Sequence, residues 1–235
     1  MLTSRTPART RAPRRGTARG LSLVELLIGS AVGLIVIGGA LTLFVQNVVG
    51  SRHMLVETRL NQDMRTALDL VTRDLRRAGY WGNAIQGTTL VGSAAGTAAN
   101  PYSPVSADDS NQAVEYRFSR DATENNAVGN NEQFGFRVND GRLQMQTASG
   151  DWNDLTDRRA MTVTAFAATP TQTTLHLGSL CPRACAAGTP NCPTITVRSF
   201  AVTMSATSGS DDQVKRTMRG AVRLRNDQLA GVCPA

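Results

Sequence analysis

Residues 21–45 are apolar throughout except for one ionisable side chain, Glu25. A helix rises about 1.5 Å per residue, so this run is long enough to cross a bilayer core of about 30 Å. Beyond Gln46 and Asn47 the pattern changes without stopping. Val56, Leu60, Met64, Ala67, Val71, Leu75 and Ala78 recur at steps of three and four residues, with Arg52, Glu57, Arg59, Asp63, Arg65 and Asp69 among the polar positions between them. That is the period of an amphipathic helix with one apolar stripe. No proline interrupts residues 21–78, and Gly50 is the one place where the join is loosened. The pattern predicts a single helix about 87 Å long, its half at 21–45 in lipid and its second half in need of a protein cover. Gly79, just after Arg73, Arg76 and Arg77, ends it, since glycine suits the position past a helix C-terminus and cations suit the last turns.

Past the helix the chain first becomes a connecting loop and then alternates. Residues 80–111 carry Gly82, Gly87, Gly92, Gly96, Pro101 and Pro104 among small polar residues, and Tyr80 and Trp81 are expected to pack at the start of the loop. Strands are predicted at 114–118 and 134–138, with Asn139-Asp140-Gly141 turning the latter into Leu143-Gln144-Met145. Further strands are expected at 161–167, 173–177, 195–205 and 214–224, the last two joined by Ser208-Gly209-Ser210-Asp211-Asp212. Arg219, Arg223 and Arg225 alternate with Val222 and Leu224, which reads as the solvated face of a strand, a phosphate-binding stripe being the functional alternative. The fold class is α+β: a mainly antiparallel sheet from residues 79–235 packed on the amphipathic half of the helix.

Charge changes this picture only at the N-terminus. The net charge is +7 and the pI near 10. Arg5, Arg9, Arg11, Arg14, Arg15 and Arg19 all lie in the first 20 residues with no acid among them, so losing residues 1–20 leaves +1. A chain of that charge gives no reason to expect a nucleic-acid partner. Basic residues flanking an apolar span hold that end in the cytoplasm and send the C-terminal part across. An ordinary secretory signal has a shorter apolar core with its cleavage site after it, so the span here is expected to stay in the protein.

A carboxylate placed in hydrocarbon costs a few kcal/mol, which makes Glu25 a functional residue in need of a partner. Cutting the chain between Gly20 and Leu21 would put a new α-amine one helical turn from Glu25. Gly20-Leu21-Ser22-Leu23-Val24-Glu25 resembles the class III signal of type IV pilins and type II secretion pseudopilins. The resemblance implies that a prepilin peptidase cuts after Gly20 and methylates Leu21, and that Glu25 docks the subunit by meeting the terminal amine of a neighbour. The domain plan is then a removed basic leader at 1–20, the long helix at 21–78 and a periplasmic or extracellular β-rich domain at 79–235. The proline common in the later part of this segment in major pilins is absent, and Thr42 stands near its place. Gly29 and Gly33 form a G-x-x-x-G, with Gly38 and Gly39 beyond, which allows close helix packing in lipid.

Arg73-Asp74-Leu75-Arg76-Arg77-Ala78-Gly79-Tyr80-Trp81-Gly82 and Leu224-Arg225-Asn226 are similar to the helix end and closing strand of the PilW group of minor pilins. This implies a low-abundance subunit that joins other minor and major pilins and primes the fibre, at the inner membrane first and in the pilus afterwards. J-type minor pseudopilins share the arginine-rich helix end and are the alternative. A signal-anchored binding protein that is never processed is the other.

Cys181, Cys185, Cys192 and Cys233 lie on the periplasmic side of that topology, where two disulfides are expected, with three connectivities open. Their spacing does not fit common zinc fingers and only His176 lies near them, so no metal is expected. Asp108-Asp109 and Asp211-Asp212 lack an EF-hand pattern and read as turn residues. With His53 and His176 the only histidines, no nucleophile and base stand together, so no catalytic residue, cofactor or small-molecule substrate is expected.

Overall fold

The computed structural model describes residues 20–87, 98–108, 110 and 112–234. The leader arginines, Gly92, Gly96, Asp109 and Asn111 lie outside the described residues. The chain divides into two units, residues 1–51 and 52–235. Helix α1, Leu23–Leu75, begins in the first and continues in the second.

In the first unit the side chains of the helix are exposed. Leu23, Leu26, Leu27, Ile28, Leu34 and Ile35 are all exposed, and the helix is long and apolar enough to cross a membrane. Ser30 Oγ donates to the carbonyl of Leu27 at 2.9 Å and Thr42 Oγ1 to that of Gly38 at 2.6 Å. Both hydroxyls are thereby satisfied by the helix backbone, as polar groups in lipid must be. The helix runs through Thr42 without a break.

In the second unit the predicted stripe is the buried one: Leu60, Met64, Ala67, Val71, Leu75 and Ala78 are buried and Val56 is partly so. Leu68 joins them. Each large side chain fully buried this way stabilises the domain by about 1.5–3 kcal/mol. The last turn tightens, with Arg77 N–H donating to Asp74 O and Ala78 N–H to Leu75 O, both at 3.0 Å. Gly79 then takes φ of +75°, a left-handed conformation suited to glycine, and its N–H leaves the helix to bond Arg117 O at 2.8 Å.

The stripe is covered by two antiparallel sheets rather than the single one predicted. Sheet 1 has the order β1-β2-β3-β4-β5, from strands Ser106–Asp108, Ala113–Arg117, Gln133–Asn139, Arg142–Ala148 and Asp151–Asp154. Sheet 2 has the order β6-β7-β8, from Met161–His176, Thr194–Ser208 and Lys215–Arg223, with β9 (Gln228–Ala230) pairing with β7. The predicted turn at Asn139-Asp140-Gly141 pairs Asn139 with Arg142. Strand β6 ties the sheets together: Val163 N–H donates to Gly141 O and Phe166 N–H to Gln112 Oε1, both at 2.9 Å, while its ladder runs along β7.

The segments 161–167 and 173–177 are one strand, with Pro170 inside it opposite Phe200. Because β6 is an edge strand, the proline's missing N–H breaks no inner ladder. On β8, Gly220 lies against Leu68 and Thr72, and Arg216 reaches Glu57 at 2.8 Å. Arg219, Arg223 and Arg225 are exposed while Val222 and Leu224 are buried, as their alternation predicts.

Candidate functional site

Two regions carry the residues singled out by the sequence, and each is built differently. At the N-terminus, Gly20 and Leu21 precede the helix, whose first turn contains Glu25. Both are exposed, leaving the Gly20–Leu21 bond in non-helical backbone. Glu25 has no hydrogen-bond or ion-pair partner among the described residues, unlike Ser30 and Thr42 on the same helix. A Cβ added at Gly29, Gly33, Gly38 or Gly39 would meet nothing within 4 Å, and Gly29 and Gly33, one turn apart, leave one side of the helix open to another helix. Its chemistry is that of association: a carboxylate at the positive end of a helix dipole, small residues and uncovered apolar side chains.

The second region is the junction where the helix end meets the closing segment of the chain. The two stretches at 73–82 and 224–226 are brought together there. Arg225 N–H donates to Arg76 O at 3.2 Å and Asn226 Nδ2 to Ala78 O at 3.4 Å, which satisfies carbonyls left open by the helix terminus. Asp74, buried at 5% exposure, accepts from the Tyr116 hydroxyl and pairs with Arg77, whose guanidinium stacks 4.4 Å from the Phe118 ring. Burial pushes the Tyr116 hydroxyl well above its ordinary pKa, with Arg77 opposing, so it remains a donor to Asp74. Trp81 is buried and its indole N–H reaches Asn126 Oδ1 at 2.9 Å. Tyr80, expected to pack beside it, is instead 51% exposed. The chain turns at Gly79, and only the second aromatic faces inward.

Residues that the sequence reading passed over hold this junction. Arg198 is buried on β7 and donates to Ser103 O at 2.6 Å and Asn226 O at 2.9 Å. Burial pulls its pKa below the ordinary range, opposed by Asp227. Its signal was present: Arg198 lies in the same alternation as Phe200, Val202 and Met204, the inward phase of the strand. Tyr102 is buried with its hydroxyl 3.1 Å from Glu124 Oε1 and from Glu132 Oε2. Glu132, itself buried, accepts from Arg120 N–H and Gly129 N–H at 2.8 Å each. Burial works to raise the Glu124 pKa, but hydrogen bonds from Ser119, Asn126, Gly82 and Tyr102 outweigh it and hold the carboxyl below its usual range. These acids fix the loop to the helix end. No sequence spacing announces them, because their partners are backbone groups brought close only by the fold.

The cysteines pair as Cys181–Cys233 and Cys185–Cys192, selecting one of the three connectivities. The first ties the C-terminal tail to the segment after β6, and the second closes a small loop within that segment. None of the four is free, so alkylation should fail on the native oxidised protein and label all four after reduction. By loop-closure entropy, breaking Cys181–Cys233 (separation 52) should cost about 4 kcal/mol and breaking Cys185–Cys192 (separation 7) about 2. Paired serine variants melted in denaturant check the order. Asp211 is a turn residue, its carboxylate accepting from Gln213 N–H at 3.0 Å. Among the described residues no cluster of three metal-ligating side chains occurs.

Residues 53–224 match the family described as prepilin peptidase-dependent protein B. No curated protein and no solved structure matches the chain. The matched span covers the amphipathic half of the helix, sheet 1, strands β6 to β8 of sheet 2 and the helix-end side of the junction, and it includes neither Arg225 and Asn226 nor the N-terminal segment that resembles a prepilin signal. Well over half of the sequence lies within the match, and the chain belongs to the prepilin peptidase-dependent protein B family, a pilin-like protein of pilus or pseudopilus systems.

Proposed function

We propose that this protein is a minor pilin of the PilW group that joins other minor pilins to prime a type IV pilus and stays at the tip of the fibre it starts. Prepilin peptidase removes residues 1–20 and methylates Leu21. The helix at 21–45 holds the subunit in the inner membrane, with the β-rich domain on the periplasmic side. Glu25 then meets the α-amine of a neighbouring pilin as the subunit moves from lipid into the fibre. The protein acts by assembly, without catalysis, cofactor or metal.

The observation that carries this reading is Glu25: a carboxylate in the first turn of an apolar helix, with no partner among the described residues of its own chain. A charge in that setting is costly, which supports a partner for it beyond the described residues. Membership of a prepilin peptidase-dependent family supports the peptidase as a partner.

Deleting the gene should remove surface fibres, and expressing the full chain should restore them. Normal fibre number with loss of protein secretion would point instead to a J-type pseudopilin. Normal fibres together with normal secretion would defeat both readings.

A further inference from the structure

Sheet 1 buries one face in the core and turns the other outward. On the outer face the register sets Glu115 opposite Gly135, Gly135 opposite Gln146, and Gln146 opposite Trp152. Trp152 lies down along this row. Its ring comes within 3.1 Å of where a Gly135 Cβ would stand, and Gln146, although it points outward, is buried. Any side chain at Gly135 would push the indole off the sheet.

Arg137 stacks on the indole at 4.2 Å and donates from Nε to Gln144 Oε1 at 2.9 Å. Both contacts draw the guanidinium toward β4 and β5, away from Glu115, its diagonal neighbour on β2. Opposite charges that close on one sheet face ordinarily pair. Glu115 instead has no hydrogen bond or ion pair among the described residues. A groove of about 600 Å³ opens between the two walls, over the small side chain of Ala113, with Asp108 and Asn139 also on its lining.

We propose that this groove is a binding site for a neutral saccharide. It sets an unpaired acceptor, Glu115, across from a donor, Arg137, that Gln144 and the indole hold in place, with an indole edge beside them. Vicinal hydroxyls can donate to the Glu115 carboxylate while a ring or glycosidic oxygen accepts from Arg137, and C–H groups of the sugar pack against the indole edge that Arg137 leaves uncovered. Charge narrows the class. An anionic ligand would meet Glu115 and a cationic one Arg137, whereas a neutral polyol meets no like charge. The site is separate from Glu25 and from the junction, and stands whether or not the chain is built into a fibre.

The test uses the full chain in a detergent without a sugar headgroup, titrated with cellotriose, chitotriose and lactose. Saturation-transfer NMR on the sugar and tryptophan fluorescence are the readouts. At least one sugar should bind saturably in the millimolar range or below, with a fluorescence change that disappears in Trp152→Phe because Trp81 is buried elsewhere. Glu115→Gln, on an exposed side chain, should weaken binding by about tenfold or more at an unchanged melting temperature, and Arg137→Lys should weaken it comparably. No saturable response to any of the three sugars would overturn the proposal. So would equal binding by Glu115→Gln, or saturation of the groove by an arginine-rich peptide in place of a sugar, which would make it a protein-docking surface.

Discussion

Replacing Glu25 with alanine should leave cleavage, methylation and protein level intact and abolish incorporation into pilin complexes and fibres. The domain core lies in the unit that starts at Arg52, and Glu25 belongs to the other unit and has no hydrogen bond or ion pair among the described residues, so the substitution removes nothing that holds the domain. Removing a charge from an apolar helix eases its insertion into lipid. What is lost is the partner of a desolvated terminal amine. Breaking a buried ion pair from one side costs about 3–5 kcal/mol, which is roughly two to four orders of magnitude in a docking equilibrium. Co-purification with other pilins and a count of surface fibres read the effect. Wild-type complexes would show that Glu25 has no docking role, and loss of the protein itself would favour an unprocessed signal anchor.

The second large effect is expected at the junction. Asp74→Ala should destabilise the domain by about 3 kcal/mol, because it leaves the hydroxyl of the buried Tyr116 without its acceptor and Arg77 without its carboxylate. Arg77 is half exposed and can turn to water, so most of the cost falls on Tyr116. In a domain of this size that corresponds to a melting point lower by about 6–12 °C. Adding Tyr116→Phe to Asp74→Ala should recover part of the loss, since the stranded hydroxyl is then gone. A double variant no more stable than Asp74→Ala would mean that the hydrogen bond is not what Asp74 contributes.

The junction also shows why part of the fold could be read along the chain and part could not. The helix stripe from Leu60 to Ala78 repeats over five turns and needs no knowledge of its cover, so its face follows from spacing alone, while the α-helix itself ends at Leu75, three residues before the expected 78, because the last turn tightens ahead of Gly79. Strands with clear alternation, such as 114–118 and 195–205, are found in place. By contrast β1, β5 and β9 are three or four residues long and polar, and exist because a neighbouring strand offers them a ladder. The two strands expected at 161–167 and 173–177 are one, and Pro170 between them sits where an edge strand tolerates it. The division into two sheets depends on β6 leaving sheet 1 to pair with β7, a choice made by tertiary contacts. The expectation for Gly20, Leu21 and Glu25 rests on residues adjacent in sequence. The role of Arg198, and the pairing of Cys181 with Cys233, arise from residues remote in sequence.

The most direct measurement is the mass of the protein and of its N-terminal peptide, taken from cells that bear fibres. A chain beginning at Leu21 and carrying one methyl group on its α-amine is the predicted result, lost when Gly20 is replaced by a bulky residue that blocks the peptidase. A chain retaining Met1 or any part of the leader would contradict the account.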